Sequence, residues 1–532
     1  MGWAEVAAHV HGARARLAAA ASSPRSAQEG LLALIMARHA GSDFGRRHGF
    51  AGIDGIRAFQ RAVPLRDPQQ HEADIEAMAD GDTRRLVAEP LLGFETTGGS
   101  TGAARLIPLT ASGLTAMQNG LYAWIDDLCT ARPAVTVGSS YWSISPVARM
   151  RAATRGGLPI GLGSDADYFG AAAPALASVL AVPPGVAAIP AVDDWRMLTL
   201  QILLGDASLS LVSVWSPTFW LELCRHAVLH RDELVRAIAD GRWVVVVAAE
   251  LRDALPIPKA DPTRARMLAS ALSAARPDWT AIWPRLSLIS CWADASSRPW
   301  ALQLADAFPA VEVQGKGLLA TEGIISVALS DGGDPVAAIT SSVLEFEDDE
   351  GRVLACDQVQ SGSEYAVVMT TSAGLYRYRL GDRVRITGWW HGAPRLRLLG
   401  RGSDCSDLCG EKLTEAFVLA CFAALDMRPG IVAQLVPRQL PAPHYRLLLD
   451  ARALEADAAH TLANRLDQAL CANPQYAYAR ALGQLGAVAA HRVELLAASM
   501  QALSLARGQG LGDAKPAVLG RIDDPDLALL AP

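Results

Sequence analysis

The stretch with the densest chemistry runs from Phe94 to Pro108 and reads Phe-Glu-Thr-Thr-Gly-Gly-Ser-Thr-Gly-Ala-Ala-Arg-Leu-Ile-Pro. Its centre, Thr96, Thr97, Gly98, Gly99, Ser100, Thr101 and Gly102, combines hydroxyl side chains with glycines and nothing else. Glycine lets the backbone reach φ > 0 and lets a ligand approach without a Cβ in the way. Successive N–H groups, with hydroxyls beside them, form a concave anion nest. Arg105 follows with a guanidinium fork that fits phosphate oxygens. The chemistry of such a segment is the cradling of a triphosphate. The same residues also suit a solvated hairpin loop, since Gly, Ser and Thr are ordinary turn residues. The segment lacks the Gly-Lys-Ser/Thr ending of the P-loop and the glycine spacing of dinucleotide folds.

Two more segments carry groups that a nucleotide site needs. Ala320-Thr321-Glu322-Gly323 follows the apolar Leu318-Leu319. Read as a strand end, it presents a hydroxyl and a carboxylate, and Glu322 would hold a Mg²⁺ that bridges phosphates, because a hard cation takes carboxylate oxygen. Read as a helix start, Thr321 is a cap and Glu322 sits in the first turn. Farther on, Leu375-Tyr376-Arg377-Tyr378-Arg379-Leu380-Gly381-Asp382-Arg383-Val384 places a Gly-Asp turn after a strand. A carboxylate there can accept from both hydroxyls of a ribose; the local alternative is a hairpin turn whose Asp is already satisfied.

The first loop resembles the phosphate loop of adenylate-forming enzymes, and more closely that of the GH3 family of acyl acid amido synthetases. Thr96 and Thr97 stand where that family has two serines, Gly98 at its first glycine, Ser100 and Gly102 at the later positions, and Pro108 at its proline. Gly99 replaces a threonine, and Arg105 a lysine, which keeps the charge and changes its geometry. Thr321-Glu322 matches the Thr/Ser-Glu motif, with Leu318 where an adenine-stacking aromatic is frequent. Tyr-Arg-Tyr-Arg-x-Gly-Asp-x-Val is a distinctive GH3 string and assigns Asp382 to the ribose. Leu399-Gly400-Arg401-Gly402-Ser403-Asp404 resembles the domain junction, which makes Arg401 a ribose or phosphate contact and puts a hinge between Gly400 and Asp404. Arg507-Gly508-Gln509-Gly510-Leu511-Gly512-Asp513-Ala514-Lys515-Pro516 is similar to the mobile catalytic lysine loop, which gives Lys515 to the adenylation step.

The resemblance implies an ATP- and Mg²⁺-dependent ligase that adenylates a carboxylic acid and transfers the acyl group to an amine, expected to be an amino acid. Arg105, Glu322 and Lys515 would serve catalysis. A thiol-using ligase (coenzyme A or a carrier protein) would share every adenylation residue. An ATP-binding scaffold without activity is the third reading, motivated by Gly99, Arg105 and Leu318.

The rest of the chain has to position these groups. Its 532 residues exceed one core and suggest two or three domains. Hydrophobic residues make up 51% and charged residues 19%, enough to exclude global disorder. The net charge of −7 argues against a general nucleic-acid or membrane-surface role, so cations for an anionic substrate must be placed locally. Cys129, Cys224, Cys291, Cys356, Cys405, Cys409, Cys421 and Cys471 are scattered, which fits a reducing cytoplasm and no disulfide framework. The uncharged stretch from Ala171 to Val192 contains Pro174, Pro183, Pro184 and Pro190, which unsuits it to a membrane helix.

Periodicity predicts helices over Trp3 to Ala21, Ala27 to His39, Gln69 to Ala79, Ala111 to Cys129 and Ala265 to Ala275, and one opened by Trp215-Ser216-Pro217. It predicts strands over Val135 to Ile144, Leu209 to Val214, Arg242 to Ala249 and Leu286 to Trp292. Alternating helices and apolar strands argue an α/β fold with largely parallel sheets. From about residue 340 to 400 closely spaced strands (Val343 to Phe346, Glu364 to Thr370, Leu375 to Arg379, Arg383 to Thr387, Leu396 to Leu399) suggest a β-rich subdomain. Residues 401–532 alternate again and read as a small α+β domain behind a large one spanning 1–400; the resemblance implies that the large domain carries out adenylation and that the small one is mobile. Tyr122, Trp124, Trp142 and Trp220 are candidate liners of an acyl pocket, although such aromatics are more often plain core.

Overall fold

The computed structural model describes residues 2–96, 105–142, 152–162, 165–401, 405–409, 411–425, 427, 431–439, 442–506 and 517–520. Thr97 to Gly102, Gly402 to Asp404 and Lys515 lie outside these residues. Among those described, no helix is long and apolar enough to cross a membrane.

The architecture is mixed α/β, built on three large cores. The first packs the N-terminal helices against a seven-stranded sheet. That sheet is antiparallel throughout, in the order Ser326–Val327, Val336–Ala337, Ala393–Arg401, Tyr378–Trp390, Glu364–Thr370, Val343–Glu347, Val353–Ala355. The second core surrounds a parallel sheet of Ser139–Trp142, Leu209–Ser213, Leu288–Cys291 and Glu312–Gly315. Leu209–Ser213 is buried along its whole length, as a parallel strand covered by helices on both faces must be. The third core belongs to a three-stranded sheet (Ala433–Arg438, His444–Asp450, Ala489–Val493) backed by the helices Glu415–Ala424, Ala456–Leu470 and Pro474–Ala481.

Several expected elements change in the fold. The helix expected from Trp3 to Ala21 is two, Trp3–Val10 and Ala13–Ala21, because Gly12 takes a left-handed conformation with φ 77°. The strand expected over Val135 to Ile144 is confined to Ser139–Trp142, and Pro133–Val137 forms a 3₁₀ turn that starts on proline. Arg242 to Ala249 is no strand at all. Its Val244 N–H donates to the Gln201 side chain rather than to a neighbouring strand, and Val246 is 95% exposed. A valine run signals β structure only where a sheet edge is free to accept it.

Leu375 to Arg379 and Arg383 to Thr387 are not two strands joined by a Gly-Asp turn. Tyr378–Trp390 is one strand. Ala366 pairs with Arg383 and Val368 with Arg379, so Leu380, Gly381 and Asp382 together face Val367. They form a bulge, and Gly381 takes φ 88° to allow it.

Candidate nucleotide site

The glycine-rich segment between Thr96 and Arg105 is flanked by the two strands of an antiparallel pair. Leu91–Thr96 pairs with Leu106–Thr110, closing on Thr96 opposite Leu106. Glu95, buried just before the loop, accepts the Leu162 N–H at 2.9 Å, and Gly161 N–H donates to Phe94 carbonyl oxygen. Gly161 and Leu162 thus buttress the first strand of the hairpin. The second strand feeds directly into the Ala111–Ala131 helix, whose N-cap Thr110 accepts the Gly113 N–H at 3.0 Å. Arg105, at the far stem of the loop, lies 3.5 Å from Glu72 of the Pro68–Ala79 helix. That helix is fixed by a capping box between Asp67 and Gln70.

Thr321 and Glu322 sit at the tip of a tight hairpin between Leu319–Ala320 and Gly323–Ile324, so the helix-start alternative does not hold. The hairpin lies directly on the Ala111–Ala131 helix. A Cβ on Gly120 would come within 2.9 Å of the Ile324 side chain, so glycine is what permits this approach. Thr321 and Glu322 border a cleft shared with Pro108, Thr110, Gly113 and Ser341. The Leu91–Thr110 hairpin and the Thr-Glu hairpin therefore face one space.

Glu322 is 8% exposed, and its Oε1 accepts from the Tyr378 hydroxyl at 3.1 Å. Burial pushes its carboxyl above the ordinary value, against its own backbone N–H, Arg401 and the Tyr378 hydroxyl. Burial, then the Glu322 carboxylate, pushes the Tyr378 phenol far above its usual range, against Arg105 and Arg401. Asp382 and Arg401 are register partners on adjacent strands, and Arg401 Nε lies 3.4 Å from Asp382 Oδ1. Asp382 is buried and Arg401 is half-buried. Thus Glu322, Arg401 and Arg105 all act on Tyr378, and Asp382 on Glu322 and Arg401, although these residues come from three distant parts of the chain.

Sequence reasoning missed two members of this group. Tyr378 was quoted within its motif but given no role; its every-other-residue relation to Tyr376 was the available signal. His71 was hidden in an unremarkable helix. Its ring meets Tyr378 edge-on at 5.2 Å, and burial pushes it down to about 4, helped by Arg66. Arg377 serves a different purpose. It is buried and binds Glu345 at 3.1 Å and the carbonyls of Gln60 and Val63, tying the sheet to the N-terminal helices.

Of the candidate acyl-pocket aromatics, Tyr122, Trp124 and Trp142 gather around Phe169. Trp142 lies 5.7 Å from Trp124 and 5.2 Å from Phe169, and the Tyr122 hydroxyl donates to the Phe169 carbonyl. Trp220 does not join them. It is fully buried in the second core against Tyr141, Trp283 and Phe308. Leu318 is buried and offers no aromatic face.

The donor set suits a divalent cation only in company. Among the described residues no group of three or more His, Cys, Asp and Glu side chains could hold a metal by itself. Glu322 supplies one buried carboxylate at the cleft, and Mg²⁺ would need phosphate oxygens beside it to complete its ligands.

The model for the GH3 family N-terminal domain matches residues 13–313, and that for the GH3 family central domain matches residues 339–401. The chain is 26% identical over 421 residues to a probable indole-3-acetic acid-amido synthetase, GH3.2, of Oryza sativa subsp. japonica, covering 73% of this chain and 68% of that one. It is 25% identical over 433 residues to the indole-3-acetic acid-amido synthetase GH3.4 of Arabidopsis thaliana, covering 74% and 70%. The fold is that of the GH3.15 acyl acid amido synthetase, with a TM-score of 0.81 at 18% identity over 95% of this chain and 93% of that one. A 2-hydroxyisobutyryl-CoA ligase in its postadenylation state superposes less closely, with a TM-score of 0.55 at 13% identity over 95% and 91%. With one family model spanning more than half of its length, this chain belongs to the GH3 family.

Proposed function

We propose that the protein is an ATP-dependent, AMP-forming ligase that joins a carboxylic acid to an amine, with an amino acid as the expected amine. The observation that carries this reading is the cluster of Glu322, Tyr378, Asp382 and Arg401 beside the hairpin that ends in Thr96 and Arg105. Family membership and relatives named as amido synthetases support it.

A carboxylate does not acylate an amine at neutral pH, because the leaving group would be oxide. ATP supplies a better one. A carboxylate oxygen attacks the α-phosphorus, the bond to the β-phosphate oxygen breaks, and pyrophosphate leaves. The amine then attacks the acyl carbon, the carbon–oxygen bond to AMP breaks, and the amine nitrogen gives up a proton. Both reactants of the first step are anions, so the site must supply positive potential. Arg105 and Lys515 would serve that end, with the N–H groups and hydroxyls of Thr96, Thr97, Gly98, Gly99, Ser100, Thr101 and Gly102 around the phosphates. Thr321 would add a hydroxyl, Asp382 would accept from the ribose, and Arg401 would hold Asp382 or reach the ribose itself. Mg²⁺, held by Glu322 together with phosphate oxygens, would neutralise charge as pyrophosphate departs.

A domain boundary near Arg401 completes the reading, with 1–400 as the adenylation domain and 401–532 as the smaller unit that rotates between half-reactions, hinged over Gly400 to Asp404. The proposed compartment is a reducing cytoplasm, where the free cysteines of the described residues would stay reduced.

The test is carboxylate-dependent ATP–pyrophosphate exchange across a panel of acids, followed by mass spectrometry of products formed with mixed amino acids. A thiol-using ligase would also exchange, but would turn over only with coenzyme A or a carrier thiol. Absence of exchange with every acid would favour the non-catalytic scaffold.

A further inference from the structure

Lys316 follows the last strand of the parallel sheet, where ligands of open α/β sheets gather at the carboxyl ends of strands. Its backbone N–H continues the ladder to Cys291, and its side chain folds back across the strand ends. The ammonium donates to Ser213 Oγ at 2.7 Å and to Ser290 Oγ at 3.4 Å. It also lies 4.9 Å from the Trp124 ring and 5.5 Å from the Trp215 ring. An ammonium has three N–H donors. Two are satisfied by neutral hydroxyls, and among the described residues no carboxylate pairs with it.

Its surroundings share this surplus of donors. Gln314 is 7% exposed; its Oε1 accepts the Trp124 indole N–H at 3.1 Å, which fixes the amide orientation. Among the described residues Gln314 Nε2 is then buried without an acceptor, and so is the indole N–H of Trp142, whose ring packs on Trp124. Buried donors left unmade cost stability, so several around one indole ask for an acceptor from elsewhere. Burial also pushes the Lys316 ammonium down to about 7, a penalty that a bound anion would relieve.

The position of this group relative to the nucleotide cleft follows from one helix. Ala111–Ala131 starts beside the phosphate hairpin, meets Ile324 of the Thr-Glu hairpin at Gly120, and reaches Lys316 at Trp124. From Gly120 to Trp124 is about one turn, roughly 5–6 Å. Lys316 thus meets this helix one turn past its contact with the Thr-Glu hairpin, on the side of Trp142 and Phe169.

We propose that Lys316 sets acid specificity by pairing with a second anionic oxygen of the acyl acid, so that the substrate class is a dicarboxylic acid of moderate length rather than a plain hydrophobic one. This rests on the acyl-ligase reading above. Gln314 and Trp142 complete the acceptor's surroundings, and Trp124 and Trp215 flank the ammonium.

Calorimetric titration of the full chain with adipate against hexanoate, and terephthalate against benzoate, in the presence of AMP, tests it. Each diacid should bind at least about ten-fold tighter than its partner, the range of a charge-assisted hydrogen bond. Lys316→Met should bring both ratios close to one, and Lys316→Arg should restore part of the preference. Wild-type ratios of one or below, or ratios unchanged in Lys316→Met, would overturn the proposal. If Lys316→Met does not fold, Lys316→Gln and the wild-type ratios decide. Pyrophosphate exchange with the same acids separates the two ideas. Exchange with monoacids at wild-type ratios of one keeps the ligase and removes Lys316, whereas diacid preference without exchange keeps the pairing and removes the ligase.

Discussion

The Tyr378 hydroxyl donates to Glu322 Oε1 at 3.1 Å, and that bond joins the long strand of the antiparallel sheet to the hairpin that borders the cleft. Tyr378→Phe removes the donor and leaves a buried carboxylate short of one partner, which costs about 1–3 kcal/mol at such a site. The ATP–pyrophosphate exchange rate should fall about ten-fold, with far-UV circular dichroism unchanged. An unaltered rate would show that this bond does not orient Glu322.

Asp382 and Arg401 face each other across the ladder, and Asp382 is buried. Arg401→Ala should destabilise the fold, because a buried charge loses one of its partners; about 3 kcal/mol is the upper order. Asp382→Asn should raise KM for ATP about ten-fold while leaving KM for the acid unchanged. If both KM values move together, Asp382 positions the fold rather than the ribose.

Arg377 is the buried cation that binds Glu345 and two backbone carbonyls. Lysine cannot reproduce that fork. Arg377→Lys should lower the urea midpoint markedly, and the protein that remains folded should keep its kcat. Loss of kcat at full stability would contradict the structural role.

His71 is fully buried, and its pKa falls from 6.5 to about 4 on folding. Between those values the unfolded chain binds more protons than the folded one, so stability rises with pH across about 4 to 6.5. The accumulated effect is about 3 kcal/mol below pH 4 and nil above 6.5. His71→Phe should flatten that limb of the urea-midpoint profile. A limb of unchanged slope would assign the acid sensitivity to other groups.

Much of the site was legible from residue types. The two strands that flank the Thr96–Arg105 segment are marked by apolar runs beside a glycine-rich break, a local signal, whereas Thr321-Glu322 fitted a strand end and a helix start equally until the hairpin decided it. The Gly381-Asp382 turn was misread, because a bulge and a turn share their sequence and differ only in what lies opposite; here it is Val367. Tyr378 and His71 stayed hidden, since their role depends on a strand and a helix meeting across the first core. The valines from Val244 to Val247 misled in the opposite sense: their β propensity is real, but Gln201 occupies the backbone donor that a strand would have used.

Exchange between labelled pyrophosphate and ATP, with wild type and Glu322→Gln side by side over a panel of mono- and dicarboxylic acids, tests the central claim most directly. Exchange should require both an acid and Mg²⁺, and should fall about 100-fold or more in the variant. Exchange by Glu322→Gln at the wild-type rate, or none from the wild type with any acid, would contradict it.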